Sequence, residues 1–403
     1  MHTRARARAS EKAAITAHNA AVPLLSLPPE IIADIVAEQP LQSLWVLRST
    51  CGTLRAAATE RLRTTRVMWI SEGIESSRFL RPCDQVYEMS LINGDWVKLG
   101  RLPVPRRRVG CCLMTDGRIA LVGGDDLLHD VTHRTSDAMS VTARGLHFDA
   151  LPLLRSKREC VAVANTAAGL LAAGGFWQLH NGSDDESEDE ASSRGGYGIH
   201  NESWVLRPRE SAWTRCADLP FGARESMASC ALPDGRAFVA GGITPMGGPF
   251  ETSNTAAIFL PSSLSWRQVR EMPGRPCQPW ACVLPGNPVR VLVGSSQYNP
   301  AYPQYEHLLF SYSVATDEWS RFPSLPQYAA TASPGAEKRY VRWCKPVVVA
   351  EQVLIRCRLV RNSRAEDEND RMFLLSADQS RWIGIDGSKC PVKELQCSPV
   401  VLP

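Results

Sequence analysis

Three tryptophans, Trp213, Trp266 and Trp319, stand 53 residues apart, twice over. Each is followed at the sixth and seventh positions by an apolar residue and a proline: Leu219-Pro220, Met272-Pro273 and Leu325-Pro326. Trp96 opens the same phrase and reaches Leu102-Pro103. A fixed period near 50 residues means that one small unit is built repeatedly and that each copy buries its apolar face against the next. That constraint comes before any argument about chemistry.

A second phrase keeps step with the first. TDGRIALVGG at 115–124 and PDGRAFVAGG at 233–242 are close copies. Each has Asp-Gly, a favoured hairpin turn, then a strand, then a glycine pair. AAGLLAAGG ends a third copy at Gly174-Gly175, and NPVRVLVGS a fourth, with Gly294 kept and Ser295 in the second slot. From tryptophan to glycine the count is 27 residues for Trp96–Gly123 and 28 for both Trp213–Gly241 and Trp266–Gly294. One unit lacks the tryptophan; its LHFDALP segment keeps the Leu151-Pro152 end. Trp382 closes a last, weaker unit, and TRVMWIS and QVYEMS supply strands ahead of Trp96.

Six units follow, at roughly 64–100, 106–152, 157–216, 224–270, 276–322 and 339–386. Each has short apolar runs broken by Gly, Pro, Asn and Asp, the pattern of strands rather than helices. Two strands up to the glycine pair and two more through the tryptophan, six times over, predict a mainly β chain folded as a six-bladed β-propeller over 64–390. The glycine pair suits a tight turn, and tryptophan suits an outer strand where its ring packs between blades. PVKELQCSPVVLP at 391–403 is either a tail or a strand that closes an N-terminal blade.

Residues 23–63 carry a different period. Ile31, Ile32, Ile35 and Val36, then Leu41, Leu44 and Leu47, then Leu54 and Leu62, fall at helical spacing. Pro28 and Pro29 suit a first turn, and Glu30 complements the positive end of the helix dipole. Pro40 and Gly52 divide three short helices. Their apolar surface is large for about 40 residues, which implies a partner.

The remaining segments are polar. Residues 1–22 read as a disordered basic tail or nuclear-import patch, with a mitochondrial targeting peptide as the alternative. An insertion at 180–200 contains SDDESEDE, whose charge forbids burial. Ser183 and Ser187 there each have an acidic residue three positions on, suited to an acidophilic kinase. RAEDEND at 364–370 is a second such run.

Composition excludes several function classes. A net charge of +3 on 403 residues does not favour nucleic acid or a membrane surface as partner. No apolar run approaches 18 residues, so no membrane-spanning helix is expected. Thirteen scattered cysteines, many inside apolar runs, do not form a disulfide framework and point to the cytoplasm or nucleus. No Cys-x-x-Cys pair, Ser-His-Asp set or repeated Asp box is present. His180 and His200 flank the acidic insertion without further metal ligands. Tyr298, Tyr302 and Tyr305 have only His307 nearby, short of a copper site. No catalytic residue, metal or cofactor is expected.

Two resemblances rest on these residues. The glycine pairs and the Trp-x6-Pro phrases resemble kelch repeats over about 320 residues. LLSLPPEIIADIVAEQPLQSLWVLRSTCGTLRAAA at 24–58 resembles an F-box, with Leu27-Pro28-Pro29-Glu30 and the following isoleucines matching its opening helix. Gln39 and Leu54 depart from it where leucine and tryptophan are usual. An F-box ahead of a kelch propeller implies a substrate receptor of an SCF (Skp–cullin–F-box) ubiquitin ligase, with a Skp-family adaptor and the cullin complex as partners and an unknown protein as substrate. Catalysis would then lie elsewhere in that assembly. The alternative is a kelch scaffold without a ligase.

The resemblance assigns Leu24, Leu25, Leu27, Pro28, Ile31, Ile32 and Ile35 to adaptor binding, against a private helical core. In kelch propellers the connections between blades open on one face. Arg106, Arg108, Arg158 and Arg224 lie there, either clasping an acidic or phosphorylated peptide or bonding carbonyls of the neighbouring blade.

Overall fold

Six antiparallel sheets of four strands account for the repeats, and together they form a six-bladed β-propeller. The computed structural model describes residues 27–39, 43–44, 47, 52–64, 66–70, 75–76, 79–80, 84–91, 95–126, 131–142, 145–178, 197–244, 251–276, 278–295, 309–325, 339–349, 351–361, 369–385 and 400–402. The chain divides into two compact units, Met1–Thr65 and Arg66–Pro403.

In the first unit, helix α1 (Pro29–Ala37) packs against helix α2 (Gly52–Thr64). Proline at the first helical position and Glu30 in the first turn start α1. The Gln39 side chain donates to the Ile35 carbonyl at 3.1 Å and helps finish it. Ile32, Val36, Leu44, Leu54, Ala58 and Leu62 are buried. Of the segment expected to carry a middle helix, Ser43, Leu44 and Leu47 are described and are helical.

In the second unit, blade 2 shows the common plan. Its strands run outward in chain order: Gly110–Leu113, Ile119–Val122, Ser136–Thr142 and Gly145–Leu151. Blades 3 to 6 repeat it with first strands Ala162–Thr166, Ala228–Ala231, Pro279–Leu284 and Arg339–Val349. Blade 1 differs from the expectation of four strands within 64–100. Its innermost strand is Val400–Leu402, which pairs antiparallel with Arg66–Ile70 in the register Arg66↔Leu402, Val67↔Val401 and Met68↔Val400. Gln85–Met89 and Trp96–Arg101 complete the sheet. The first strands of blades 2 to 6 touch in order, and Val400–Leu402 touches those of blades 6 and 2. A ring closed in this way leaves only short, protected inner edges.

The core lies between blades. Small residues line the glycine-rich inner half, and rings fill the outer half. Between blades 4 and 5, Phe238 stacks on Tyr312 with centroids 5.3 Å apart, and Trp319 lies 4.9 Å from the Tyr312 ring. Burying a ring of this size contributes about 2–3 kcal/mol.

The tryptophan phrase is a latch between neighbouring blades. Three outer-strand indoles reach back to a carbonyl of the previous blade: Trp213 donates to the Pro152 carbonyl at 2.8 Å, Trp319 to that of Arg270 at 2.7 Å and Trp382 to that of Pro323 at 2.8 Å, while Trp266 donates to Ser203 Oγ of the previous blade at 3.0 Å. The receiving carbonyl lies two residues before a buried apolar residue: Leu154, Met272 or Leu325. Met272 is anchored by donating its N–H to the Asn254 carbonyl, as Leu102 does to Asp84 and Leu219 to Asn201, each 18 residues back. Blade 2 obeys the same rule and corrects the sequence expectation. Its anchored residue is Leu154, not Leu151, with its N–H on the Arg134 carbonyl. Phe148 lies six residues earlier, opposite Met139 as Trp266 lies opposite Phe259, and so fills the tryptophan slot.

The glycine pairs do two jobs. Gly124 donates its N–H to the Arg158 carbonyl of the next blade at 2.9 Å, and Gly175 to the Arg224 carbonyl at 2.8 Å. A Cβ on Gly123 would lie 2.1 Å from the Arg158 oxygen, at a φ of +63°, so only glycine fits. Gly294 is different. It pairs with Trp280 in the register where Ala240 pairs with Ala228, so Ser295, not Gly294, occupies the first glycine slot of blade 5. Gly294 instead makes room for the Trp280 ring, 2.4 Å from where its Cβ would sit.

Two outcomes follow. Trp213→Phe keeps the ring but removes the donor to Pro152, and is expected to cost about 1 kcal/mol by urea unfolding. Deleting 399–403 removes the innermost strand of blade 1, and is expected to lower the urea midpoint and speed limited proteolysis within 66–101. An unchanged midpoint would contradict closure by Val400–Leu402.

Candidate functional site

The connections between blades and three two-stranded ribbons share one face. The ribbons are Asp125–Asp126 with Val131–Thr132, Phe176–Gln178 with Tyr197–Ile199, and Ile243–Thr244 with Glu251–Thr252. Single bridges tie each connection to its own ribbon: Arg107↔Asp125, Glu159↔Phe176 and Glu225↔Ile243.

A three-residue pattern precedes the first strand of blades 2, 3 and 4: Arg106-Arg107-Arg108, Arg158-Glu159-Cys160 and Arg224-Glu225-Ser226. The third residue is left-handed in each, with φ of 53°, 52° and 53°. These residues link blade to blade. Cys160 donates its N–H to the Arg108 carbonyl at 3.0 Å, and Ser226 donates to the Cys160 carbonyl at 3.1 Å.

The first residue of each triplet turns into its blade. Arg106 is 1% exposed, donates to the Thr135 and Gly123 carbonyls at 3.1 and 3.4 Å and pairs with Asp137. Arg158 is 0% exposed, and donates to the Gly174 carbonyl at 3.0 Å, to Ser156 Oγ at 2.6 Å and to Glu202 Oε2 at 3.3 Å. Both guanidiniums are thus engaged structurally, but with carbonyls and carboxylates of their own blade rather than of the neighbouring blade that the sequence suggested. Arg224 is half-buried, has no carboxylate partner among the described residues, and sits over the Phe221 ring, 5.3 Å from its centroid.

The second and third residues form a charged cluster. Arg107 pairs with Asp125 at 2.8 Å, and Arg108 with Glu159 at 3.0 Å. Arg108 stays partly exposed, whereas Asp125, Glu159 and Glu225 are buried. Burial and the neighbouring Asp125 push Glu159 up to about 8, against the pull of Arg108 and Arg107. Burial likewise raises Glu225, with Arg108 and Cys160 opposing it. Burial pushes the Cys160 thiol well up, so it is protonated and unreactive. The sequence reading passed over Arg107, Asp125, Glu159 and Glu225; the repeated Arg-Glu at 158–159 and 224–225 was the available signal.

His200 is not a metal ligand here. Its Nε2 lies 3.1 Å from the Lys157 carbonyl, and burial followed by the Arg158 charge lowers its pKa to about 4. No group of three or more metal-ligating side chains occurs among the described residues. His180, Ser183, Ser187, Tyr298, Tyr302, Tyr305 and His307 lie outside them.

On the helical unit, Ile32 is 1% exposed and belongs to the private core, whereas Ile31 is 42% exposed. Leu27 and Ile35 are half-buried and Pro28 is exposed. Leu24 and Leu25 lie outside the described residues. No helix of the described residues is long and apolar enough to cross a membrane.

The raised Glu159 carboxyl sets the sign of a pH effect. Between its ordinary value of 4.5 and about 8, the folded chain holds a proton that the unfolded chain has released. Stability therefore falls as pH rises through that window. Glu159→Gln is expected to flatten the fall, read as melting temperature from pH 5 to 9; an identical pH slope in the variant would refute the assignment. No family model matches the chain, and no curated protein is significantly similar to it.

Proposed function

We propose that the chain is a substrate receptor of an SCF-type ubiquitin ligase. Its N-terminal unit is an F-box that docks on a Skp-family adaptor, and its propeller is of the kelch type and holds the protein to be ubiquitinated. The chain recruits, and the cullin–RING–E2 part of the assembly transfers ubiquitin.

The observation that carries this reading is the division of apolar residues on α1. Ile32 and Val36 are buried, while Ile31 stands out at 42% exposure beside the half-buried Leu27 and Ile35. Ile31 and Ile35 are four apart and share one side of the helix, and Leu27 precedes its N-cap, Pro28. An apolar stripe of that kind is what a helix-in-groove partner takes up. A folded propeller in the same chain supplies a large surface for a second protein, and its ribbon face holds fixed charge.

Co-purification with a Skp-family adaptor tests the reading. Ile31→Asp, at an exposed position, is expected to abolish capture while the melting temperature stays within about 1 °C, and Leu27→Asp, at a half-buried one, to abolish it with some loss of stability. Ile32→Ala is expected to destabilise the helical unit by about 2–4 kcal/mol, since it empties a buried site. An intact chain that captures no adaptor overturns the proposal and leaves a propeller scaffold.

A further inference from the structure

Arg106, Arg158 and Arg224 hold one position in three successive blades, and the surroundings of the third have been changed. Three backbone bonds fix the correspondence. His133, His200 and Ser253 each donate an N–H to the second glycine of their pair, at Gly124, Gly175 and Gly242. Thr135, Glu202 and Thr255 each accept from the first glycine, at Gly123, Gly174 and Gly241. Asn201 and Asn254 accept from the anchored Leu219 and Met272. So His200-Asn201-Glu202 in blade 3 stands where Ser253-Asn254-Thr255 stands in blade 4.

Two groups that surround the arginine are therefore missing from blade 4. In blade 3 the His200 ring lies on the Lys157 carbonyl, and Glu202 neutralises Arg158. In blade 2 His133 holds the matching position beside the Pro105 carbonyl, and Asp137 neutralises Arg106. Blade 4 has Ser253 for the histidine. It has Thr255 and Ala257 at the two places from which the other blades supply a carboxylate. Arg224 has shifted accordingly. It donates to the Ala223 carbonyl at 2.8 Å, the acceptor matching those beside the histidine rings. It makes no hydrogen bond to the Gly241 or Thr255 carbonyls, although Arg106 and Arg158 both use the corresponding glycine oxygen. Its Nε is buried with no partner among the described residues, as are those of Arg106 and Arg158, so the difference lies in the terminal guanidinium nitrogens. Burial alone acts on its pKa, lowering it, whereas Asp137 and Glu202 oppose burial at the other two.

The guanidinium is nonetheless held. Phe221 supports its face, and Ala223 takes one donor. A planar cation fixed by a ring and a carbonyl, with donors left over, costs little entropy to bind an oxyanion.

We propose that Arg224 is the anion-binding subsite of the propeller's ribbon face and receives a carboxylate or phosphoryl group from a segment of the partner protein. This rests on the reading of the propeller as the partner-holding unit. Specificity then comes from a blade that has lost its internal counter-ion, while Arg106 and Arg158 keep structural roles.

Fluorescence anisotropy with the full chain tests this. The probes are a labelled triglutamate peptide, a phosphoserine peptide of the same length and a triglutamine control. Saturable, salt-sensitive binding of at least one anionic peptide is expected, at least tenfold tighter than the control. Arg224→Gln is expected to weaken it at least tenfold. Thr255→Glu, which restores the counter-ion pattern of blade 3, is expected to do the same with an unchanged melting temperature, and Arg224→Lys to retain part of it. Tighter binding of triglutamate identifies a carboxylate source, and tighter binding of phosphoserine a phosphorylated partner. No saturable binding of either, or equal binding by the control or by Arg224→Gln, overturns the proposal. Adaptor capture is read on the Leu27 and Ile31 variants alone, so failure of the ligase reading leaves this result distinct.

Discussion

The hydrogen bond from the second glycine of one blade to the connection of the next is the contact on which the rest depends. Gly124 reaches the Arg158 carbonyl, and Gly175 reaches the Arg224 carbonyl. Each bond sets how closely two sheets approach near the axis. The approach leaves no space for a Cβ on Gly123 or Gly174, whose positions lie 2.1 and 2.4 Å from those same oxygens. With the inner ends pinned, the outer ends splay, and the gap is filled by rings and closed by the indole latches. The arginine side chains then follow from their backbones. Because the carbonyl points to the previous blade, the side chain turns into its own blade and meets that blade's carboxylate.

This order of causes explains what the sequence made legible. The period, the glycine pairs and the tryptophans were readable because each is a backbone or volume requirement that few residues meet. Six blades and the propeller architecture follow from them. Slots that other residues can fill were not readable. Phe148 does the work of tryptophan in blade 2 because a ring of slightly smaller size still reaches the gap. Gly294 mimicked the pair by standing one position early, where the large Trp280 needed space. The inner strand of blade 1 pairs residues 66 and 402 and settles 391–403 as holding the closing strand, one of the two readings the sequence left open because a long-range pairing has no local pattern.

Site chemistry was less legible still, for a physical reason. Arg106, Arg158 and Arg224 look alike in the chain, and their difference lies in residues 27 to 44 positions away. Asp137 and Glu202 sit at different steps of the third strand yet neutralise equivalent arginines. Only the register shows that blade 4 offers neither. On the helical unit, adjacent Ile31 and Ile32 divide between surface and core, and the helical period alone leaves open which of the two faces inward. The buried carboxylates of Glu159 and Glu225 were overlooked because acids beside arginines read as solvated surface until the ribbons are seen to cover them.

The seam between Arg66–Met68 and Val400–Leu402 bears on why there are six blades at all. Closing a loop costs free energy that grows only with the logarithm of its length. One more unit of the same size would lift that cost by about 0.1 kcal/mol, far below the worth of a single buried ring. Chain entropy therefore has no vote on the number of blades. The count follows from a wedge angle: alanine or glycine at the narrow end of blades 2 to 4, as at Gly110, Ala162 and Ala228, and tryptophan or phenylalanine at the wide end, with Gly294 opposite making room for Trp280 at the narrow end of blade 5. A propeller of this kind measures its own circumference in side-chain volume.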